Sequence, residues 1–216
     1  MLNKRCPSQP RIAVFDVDGT LLHGDCLRMA ALRSRGPLGL FLAGAGLLPW
    51  LLAWQGRRIS TGEFKEKTLQ LFHICDTVNL AEERGRGDWL LPVLQRHLRH
   101  QALQRLHWHQ ERGDHVLLCS ASPRMLLQPL ANWLGVELLA TELRKADGRW
   151  QPELAGVNCK GPEKVKRLEA HLGSLEGLTI EAYGDSKGDR DLLMAAAIPH
   201  YRSFEAEARP YPPFSL

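Results

Sequence analysis

Arg11-Ile-Ala-Val-Phe15-Asp16-Val-Asp18-Gly19-Thr20 is the stretch on which the reading of this 216-residue chain turns. Its first five residues are short, largely apolar and closed by Asp and Gly, the profile of a strand buried in a sheet. Asp16 and Asp18 follow that strand one residue apart. Two carboxylates so placed can share a hard cation and still present oxygen to a substrate. An EF-hand is excluded, because its loop needs Gly at position six and Glu at twelve, where this chain has Leu21 and Leu27.

Similar short apolar runs recur further along: His115–Cys119, Leu178–Tyr183 and Leu138–Thr141. Helical spacing lies between them at Met125–Leu134 and Glu163–Leu172. Strands alternating with helices predict an α/β fold, a Rossmann-like parallel sheet with helices on both faces. Arg144–Leu154 reads as a small hairpin turning at Asp147-Gly148. The interval 23–112 breaks the rhythm, with few β-branched residues and the helical spacing of Leu90, Leu91, Leu94, Leu98 and Leu103. The expected organisation is therefore a catalytic core of residues 1–22 and 113–216 with an all-helical insertion at 23–112. Such a sheet binds ligands at the carboxyl ends of its strands, so an insertion after the first strand sits over that edge as a lid.

Composition agrees with one ordinary domain carrying an appendage. Apolar residues make up 44% and charged residues 24%, which excludes a disordered, collagenous or coiled-coil chain. Five scattered cysteines, Cys6, Cys26, Cys75, Cys119 and Cys159, show no CxxC spacing, which argues against a disulfide scaffold or zinc site and for a reducing compartment. No secretory signal is expected, since Asp16 and Asp18 cut the first apolar run. The Pro-rich end, Arg209–Leu216, reads as a loose tail. The formal charge of +4 is local. Cys26–Gly62 holds Arg28, Arg33, Arg35, Arg57 and Arg58 and no acid, so the rest of the chain is slightly acidic.

Three further pieces fall on the same predicted edge. Gly184-Asp185-Ser186-Lys-Gly-Asp189 closes the third strand with two more carboxylates. Ser120-Ala121-Ser122-Pro offers a hydroxyl and backbone N–H groups at a helix start, a natural oxyanion site. Asn158-Cys-Lys160-Gly-Pro-Glu-Lys164 supplies a cation. Each has an ordinary reading as turn, helix cap or solvated lysine. Their order along the chain and shared edge favour a site.

These four pieces resemble the four motifs of the haloacid dehalogenase superfamily: DxDGT, a Ser or Thr ending a strand, a Lys, and GDSxxD. The insertion resembles the helical C1-type cap of its phosphoserine-phosphatase-like branch, subfamily IB. SASP, NCxGxEKV and the Arg-flanked apolar stretch resemble hydrolases of the phosphatidylglycerophosphatase C type. The resemblance covers roughly residues 11–204 and implies a phosphomonoester hydrolase. Asp16 would be the nucleophile, forming an aspartyl-phosphate. Asp18 would be the general acid and base. Ser120 would bind a phosphate oxygen, together with Ala121. Mg²⁺ would be held by Asp16, the Asp18 carbonyl and Asp185, with Asp189 in or behind the first shell. Lys160 and Lys164 both lie near the helix start, and NCxGxEKV favours Lys164 as the catalytic lysine, with Lys160 at the substrate.

Leu38–Trp54 is a run of 17 residues without a charge. Three readings compete: a buried lid helix, a membrane span, and a segment in the membrane interface. A span would require a second crossing to bring Asp16 and Ser120 into one core, and no second run of that length exists before Ser120. Trp50, Trp54 and the flanking arginines favour peripheral contact of residues 33–58 with an anionic membrane. A cytoplasmic protein peripheral to the inner membrane, acting on a lipid-linked or membrane-surface phosphate such as phosphatidylglycerophosphate, is the expectation. Phosphoserine or another small phosphomonoester is the alternative. Asp25 lies where phosphoserine phosphatases carry an acidic lid residue, although it also suits a helix cap. If Phe64 aligns with their lid phenylalanine, their carboxylate-binding arginine falls on Leu71, which weakens that alternative. A phosphate- or lipid-binding protein without turnover is a third class, disfavoured by the intact motif residues. Nucleic acid is not an expected partner, since the basic cluster has no stacking platform. The histidines from His97 to His115 read as a solvated helix face.

Overall fold

The computed structural model describes residues 11–205, apart from the side chain of Leu40; Cys6 and the Pro-rich end at Arg209–Leu216 lie outside the described residues. In chain order the elements are β1 (Arg11–Phe15), α1 (Cys26–Gln55), α2 (Thr61–Leu71), α3 (Ile74–Glu83), α4 (Leu91–Arg96), α5 (His100–Glu111), β2 (His115–Pro123), α6 (Arg124–Leu134), β3 (Glu137–Thr141), β4 (Leu143–Ala146), β5 (Arg149–Leu154), α7 (Pro162–Leu172), β6 (Thr179–Gly184), α8 (Arg190–Ala195) and β7 (Ile198–Tyr201).

Five strands pair in parallel in the order β3-β2-β1-β6-β7, and β4 pairs with β5 as the expected hairpin. Alternation along β1 divides the core. Ala13 and Phe15 join the cluster shared with α1, α3, α5 and α6, while Ile12 and Val14 pack with Leu168 of α7 and Leu192 and Leu193 of α8. The α/β sheet is thus the one expected, with an added edge strand. β7 is four residues long and contains Pro199, a composition that hides a strand from pattern reading and that an edge tolerates. β2 runs on to Pro123, and its pairing with β3 shifts register between Ser120 and Pro123. Ser120-Ala121-Ser122 therefore ends a strand and does not cap the following helix, whose N-cap is Pro123 without a side-chain bond.

The insertion is helical throughout. α1 is broken at Gly36, which takes φ 69° and ψ 178°. Pro37 disfavours helical geometry in the residue before it, and glycine enters positive φ without strain. The chain direction bends by 119° between Cys26–Gly39 and Phe41–Gln55, and the second segment runs through Gly44, Gly46 and Pro49 unbroken. No single helix among the described residues is long and apolar enough to cross a membrane. Trp54 donates its indole N–H to Thr61 (3.2 Å) and stacks on Phe64, so its polar edge is used inside the lid and not at a lipid boundary.

Helices α2 and α3 of this insertion rest on the hairpin. Asn79 of α3 donates to the Trp150 carbonyl (3.0 Å) and accepts the Trp150 N–H (2.8 Å), completing a strand-like pair from one side chain. Glu66 of α2 accepts the Leu154 N–H (2.7 Å). α5, the last helix of the interval 23–112, lies against β2, and its His109 is buried between Asp114 (2.7 Å) and the Tyr183 hydroxyl (2.9 Å). The expectation of a solvated histidine face is corrected there. His97, His100 and His107 are exposed, but His109 packs edge-on against Phe15 in the sheet core.

Candidate active site

β1 sits where the strand order reverses, so its carboxyl end opens a crevice between β2 and β6. Asp16 is anchored at that end by its own N–H, which bonds the Tyr183 carbonyl (2.9 Å). Its carboxylate meets Lys164, which rises from the first turn of α7 and is 1% exposed. The Lys164 ammonium donates to Asp16 Oδ1 (2.6 Å), the Cys119 carbonyl (2.7 Å) and Asp189 Oδ1 (2.5 Å). Three donors meet three acceptors, which is what a buried lysine requires. Burial disfavours this ammonium, but Asp16 and Asp189 outweigh it and hold the lysine protonated well above its usual range. Lys160 is exposed and its stem covers Gly188. The structure brings Lys164, and not Lys160, to Asp16.

Asp18 is held from two sides. Oδ1 accepts the Cys26 N–H at the start of α1 (2.7 Å), and Oδ2 accepts the Ser122 hydroxyl (2.5 Å). Burial, reinforced by the charge of Asp25, raises its carboxyl to about 6 against the pull of those two hydrogen bonds. Ser120 is fully buried, and its Oγ accepts the Ser122 N–H (3.0 Å). The Ala121 carbonyl accepts the Thr141 hydroxyl (2.6 Å).

Asp185 and Asp189 stand on the adjoining turn after β6. Both Asp189 oxygens have partners: Oδ1 accepts from Lys164, and Oδ2 from the Ser186 N–H (3.0 Å) and hydroxyl (2.7 Å). Asp185 is different, because its Oδ1 is buried without a hydrogen-bond partner. Burial, with the charge of Asp189 behind it, raises its carboxyl to about 6. Gly19 explains itself here. A Cβ at that position would lie 2.1 Å from Asp185 Oδ2, and its φ is +81°.

A hard divalent cation fits these groups. Asp16, Asp185 and Asp189 offer oxygens within 4.8 Å of one another, and the unpartnered Asp185 oxygen wants a charge. Asp16 is also held well above the carboxylate range by burial, which Lys164 opposes without overcoming. One buried ammonium does not balance Asp16, Asp18, Asp185 and Asp189. Both Asp18 carboxylate oxygens already accept hydrogen bonds, from the Cys26 N–H and the Ser122 hydroxyl.

Asp25 accepts the Arg28 N–H through Oδ1 (2.8 Å) and caps α1, the structural reading of this residue. It also lines two cavities. One, about 670 Å³, lies along the catalytic edge with Asp18, Gly19, Arg28, His97 and Asp185. The other, about 550 Å³, lies within the lid, walled by Leu47, Leu51, Trp54, Phe64 and Phe72, and reaches Asp25, Arg28 and Lys65. Leu71 is partly buried and packs against the hydrophobic core.

Lys65 and Ser122 are the residues that sequence reasoning missed. Ser122 was legible only as a helix cap, and its bond to Asp18 spans 104 residues. Lys65 lies in Phe64-Lys-Glu-Lys67, one lysine among charged neighbours on a short helix. It is 7% exposed and reaches the Ala121 carbonyl and Asn158 Oδ1 (2.5 Å).

A model of the haloacid dehalogenase-like hydrolase family matches residues 13–194. Protein CicA of Caulobacter vibrioides is 33% identical over 203 residues, covering 92% of this chain and 89% of that protein. Phosphoserine phosphatase SerB2 of Mycobacterium tuberculosis is 30% identical over 196 residues, covering 87% of this chain and 43% of its own. Among solved structures, a protein of unknown function from Bordetella pertussis Tohama I superposes with a TM-score of 0.74 at 25% identity, covering 89% of each chain.

Proposed function

The chain belongs to the haloacid dehalogenase-like hydrolases, and from that premise we propose that it is a phosphatase working through an aspartyl-phosphate on Asp16. The observation that carries this reading is the pairing of two differently held carboxylates on one strand end. Asp16 is paired with a buried ammonium 2.6 Å away, while Asp18 is tuned to about 6 and anchored by Ser122. A carboxylate bound to a cation beside one bound to a hydroxyl and left protonatable is the division of labour that nucleophile and general acid require.

Asp16 would attack phosphorus, forming an acyl–phosphate bond as the ester P–O bond breaks. Asp18 would give its proton to the departing oxygen. It would then take one from the water that attacks the phosphoenzyme, which releases phosphate and restores both carboxyls. Lys164 would position Asp16 through its hydrogen bond and oppose the upward push of burial on that carboxyl. Asp16, Asp185 and the Asp18 carbonyl would hold Mg²⁺, which supplies positive charge against the phosphate oxygens.

For substrate we infer a lipid-linked or membrane-surface phosphomonoester, of which phosphatidylglycerophosphate is one example. The lid supports this. Leu38, Phe41, Leu42, Leu48 and Leu52 of α1 are exposed beside the exposed Arg33, Arg35, Arg57 and Arg58, and the lid cavity is walled mostly by hydrocarbon. Phosphoserine is the competing reading, favoured by the similarity to SerB2 and by Asp25 at the cleft. A magnesium-dependent phosphate-release screen over phosphatidylglycerophosphate, phosphoserine and sugar phosphates tests both. Release from phosphatidylglycerophosphate alone is expected. A broad soluble profile would overturn the lipid reading, and no release from any phosphomonoester would overturn the phosphatase.

A further inference from the structure

Of the four consecutive residues Cys119–Ser122 at the end of β2, three hold a charged group and the other braces the turn. The Cys119 carbonyl accepts Lys164, Ser120 fixes the turn by accepting the Ser122 N–H, the Ala121 carbonyl accepts Lys65, and Ser122 donates to Asp18. Three of these links are internal to the core. The fourth comes from the lid. We propose that Lys65 is a positioning residue through which the lid sets the Cys119–Ser122 turn and with it the Asp18 general acid, a role that rests on the phosphatase reading above.

The local chemistry favours this over packing. Lys65 lies on α2 with buried Leu69 and Phe72 nearby, where an apolar side chain would satisfy packing at no desolvation cost. Its partners are 56 and 93 residues away in sequence, on two different core segments. Those partners are tied to each other. Thr141 Oγ1 stands 2.6 Å from the Ala121 carbonyl and 3.0 Å from Asn158 Oδ1, and accepts the Cys159 N–H at 3.0 Å. The ammonium thus closes a ring linking α2, β2, β3 and the loop leading to Lys164. Both of its hydrogen-bond partners are neutral oxygens, so the full positive charge persists at the edge of a carboxylate-rich cleft. Two of its three N–H groups go to these oxygens, and its side chain lines the lid cavity.

If α2 withdraws, the Ala121 carbonyl loses its cation and the turn loses the contact opposing the pull on Ser122. A misplacement of about 1 Å at a reacting group can cost on the order of 100-fold in rate. Lys65→Ala is expected to lower kcat on p-nitrophenyl phosphate by roughly that factor while KM changes little, since the phosphate groups themselves remain. The emptied site adjoins a cavity of about 550 Å³, large enough for a small amine. Ethylammonium should therefore restore kcat in Lys65→Ala saturably and leave wild type and Lys65→Arg unmoved. Lys65→Met, which keeps the stem, should show the same kcat loss with a melting temperature close to wild type.

The experiment is steady-state turnover of p-nitrophenyl phosphate by the full chain and these variants, with and without ethylammonium, beside thermal melts. Loss of kcat with amine rescue supports the role. Lys65→Met within threefold of wild type, or a rate loss that no amine restores and that tracks the melting temperature, overturns it while leaving the phosphatase standing. Absence of turnover by wild type overturns the phosphatase reading and this role with it.

Discussion

Lys164 Nζ stands 2.6 Å from Asp16 Oδ1, across 148 residues of chain, and the pair is almost wholly buried. The same ammonium holds Asp189 at 2.5 Å, so one cation separates two carboxylates that would otherwise repel. Removing it leaves the two buried carboxyls facing each other with no cation between them, a change worth about 3–5 kcal/mol of stability. Lys164→Met should therefore show a clear drop in urea midpoint and lose nearly all phosphate release. Lys160→Met, at an exposed position, should lie within a few-fold of wild type. Equal loss in both would overturn the assignment of Lys164.

Asp16→Asn removes the nucleophile while keeping its shape. Acid-quench trapping with labelled substrate should find an acid-stable, hydroxylamine-labile phosphoenzyme in wild type and none in this variant, and turnover should vanish with it. Asp18→Asn should differ in kind. It retains the nucleophile but cannot protonate the leaving group, so an activated ester with a good leaving group should suffer far less than an alkyl phosphate. A normal turnover rate in Asp16→Asn is the result that excludes the mechanism.

The four motif segments were legible because each announces local chemistry: carboxylates after an apolar strand, a glycine-rich turn, a lysine at a helix start. β1 and the neighbouring strands followed from apolar runs, as did the helical insertion from the scarcity of β-branched residues. What escaped has one physical cause. Ser122, Lys65 and Asn79 act through contacts 104, 56 and 71 residues distant, and nothing in their own neighbourhoods distinguishes them from a cap, a surface lysine or a helix-surface amide. His109 misled for the complementary reason. Its polar neighbours set the expectation, but the face of α5 it occupies is turned to Phe15 and Tyr183. The bend at Gly36 was encoded locally, in the Gly-Pro pair, whereas the helix stays intact around Pro49.

Asp185 offers the readout for the cation. Its buried Oδ1 lacks a partner, so Mg²⁺ should stabilise the folded chain and raise its melting temperature, by about 2.7 kcal/mol at a hundred times the dissociation constant. Asp185→Asn should abolish that rise. Because burial raises the Asp185 carboxyl to about 6, protons should compete with the ion, and the Mg²⁺-induced rise should shrink as pH falls from 7 to 5. A magnesium response of equal size in Asp185→Asn, followed by calorimetry, would exclude this ligand.

Lys65 predicts a basic limb. Burial lowers its pKa from the usual 10.5 to about 8, against the opposing charges of Cys26, Asp18, Asp25 and Cys159 nearby. The sign follows from proton counts. Between about pH 8 and 10.5 the unfolded lysine keeps a proton that the folded one has lost, so this group makes folding more favourable as pH rises through that window. Activity should move the opposite way, since the neutral amine is a poorer partner for Ala121 and Asn158. The wild-type rate should fall above about pH 8 while the fold stays intact, and Lys65→Met should lack that limb. A limb of unchanged position and depth in Lys65→Met would assign it to another group.

The lid carries the last prediction. Phe41 is 75% exposed and Leu38 71%, an arrangement that leaves hydrocarbon in water on a helix flanked at both ends by arginines. Apolar area drives insertion into an interface, and each arginine adds about 1 kcal/mol near an anionic surface. In flotation assays the full chain should rise with vesicles containing phosphatidylglycerol and not with neutral phosphatidylcholine vesicles, and raised salt should weaken the effect. Arg57→Gln with Arg58→Gln should reduce binding by about 30-fold if both charges act independently. Phe41→Glu with Leu42→Glu should abolish it, while turnover of p-nitrophenyl phosphate persists because neither side chain lines the catalytic edge. Equal, negligible binding to both vesicle types would return α1 to a structural role and the substrate question to soluble phosphomonoesters.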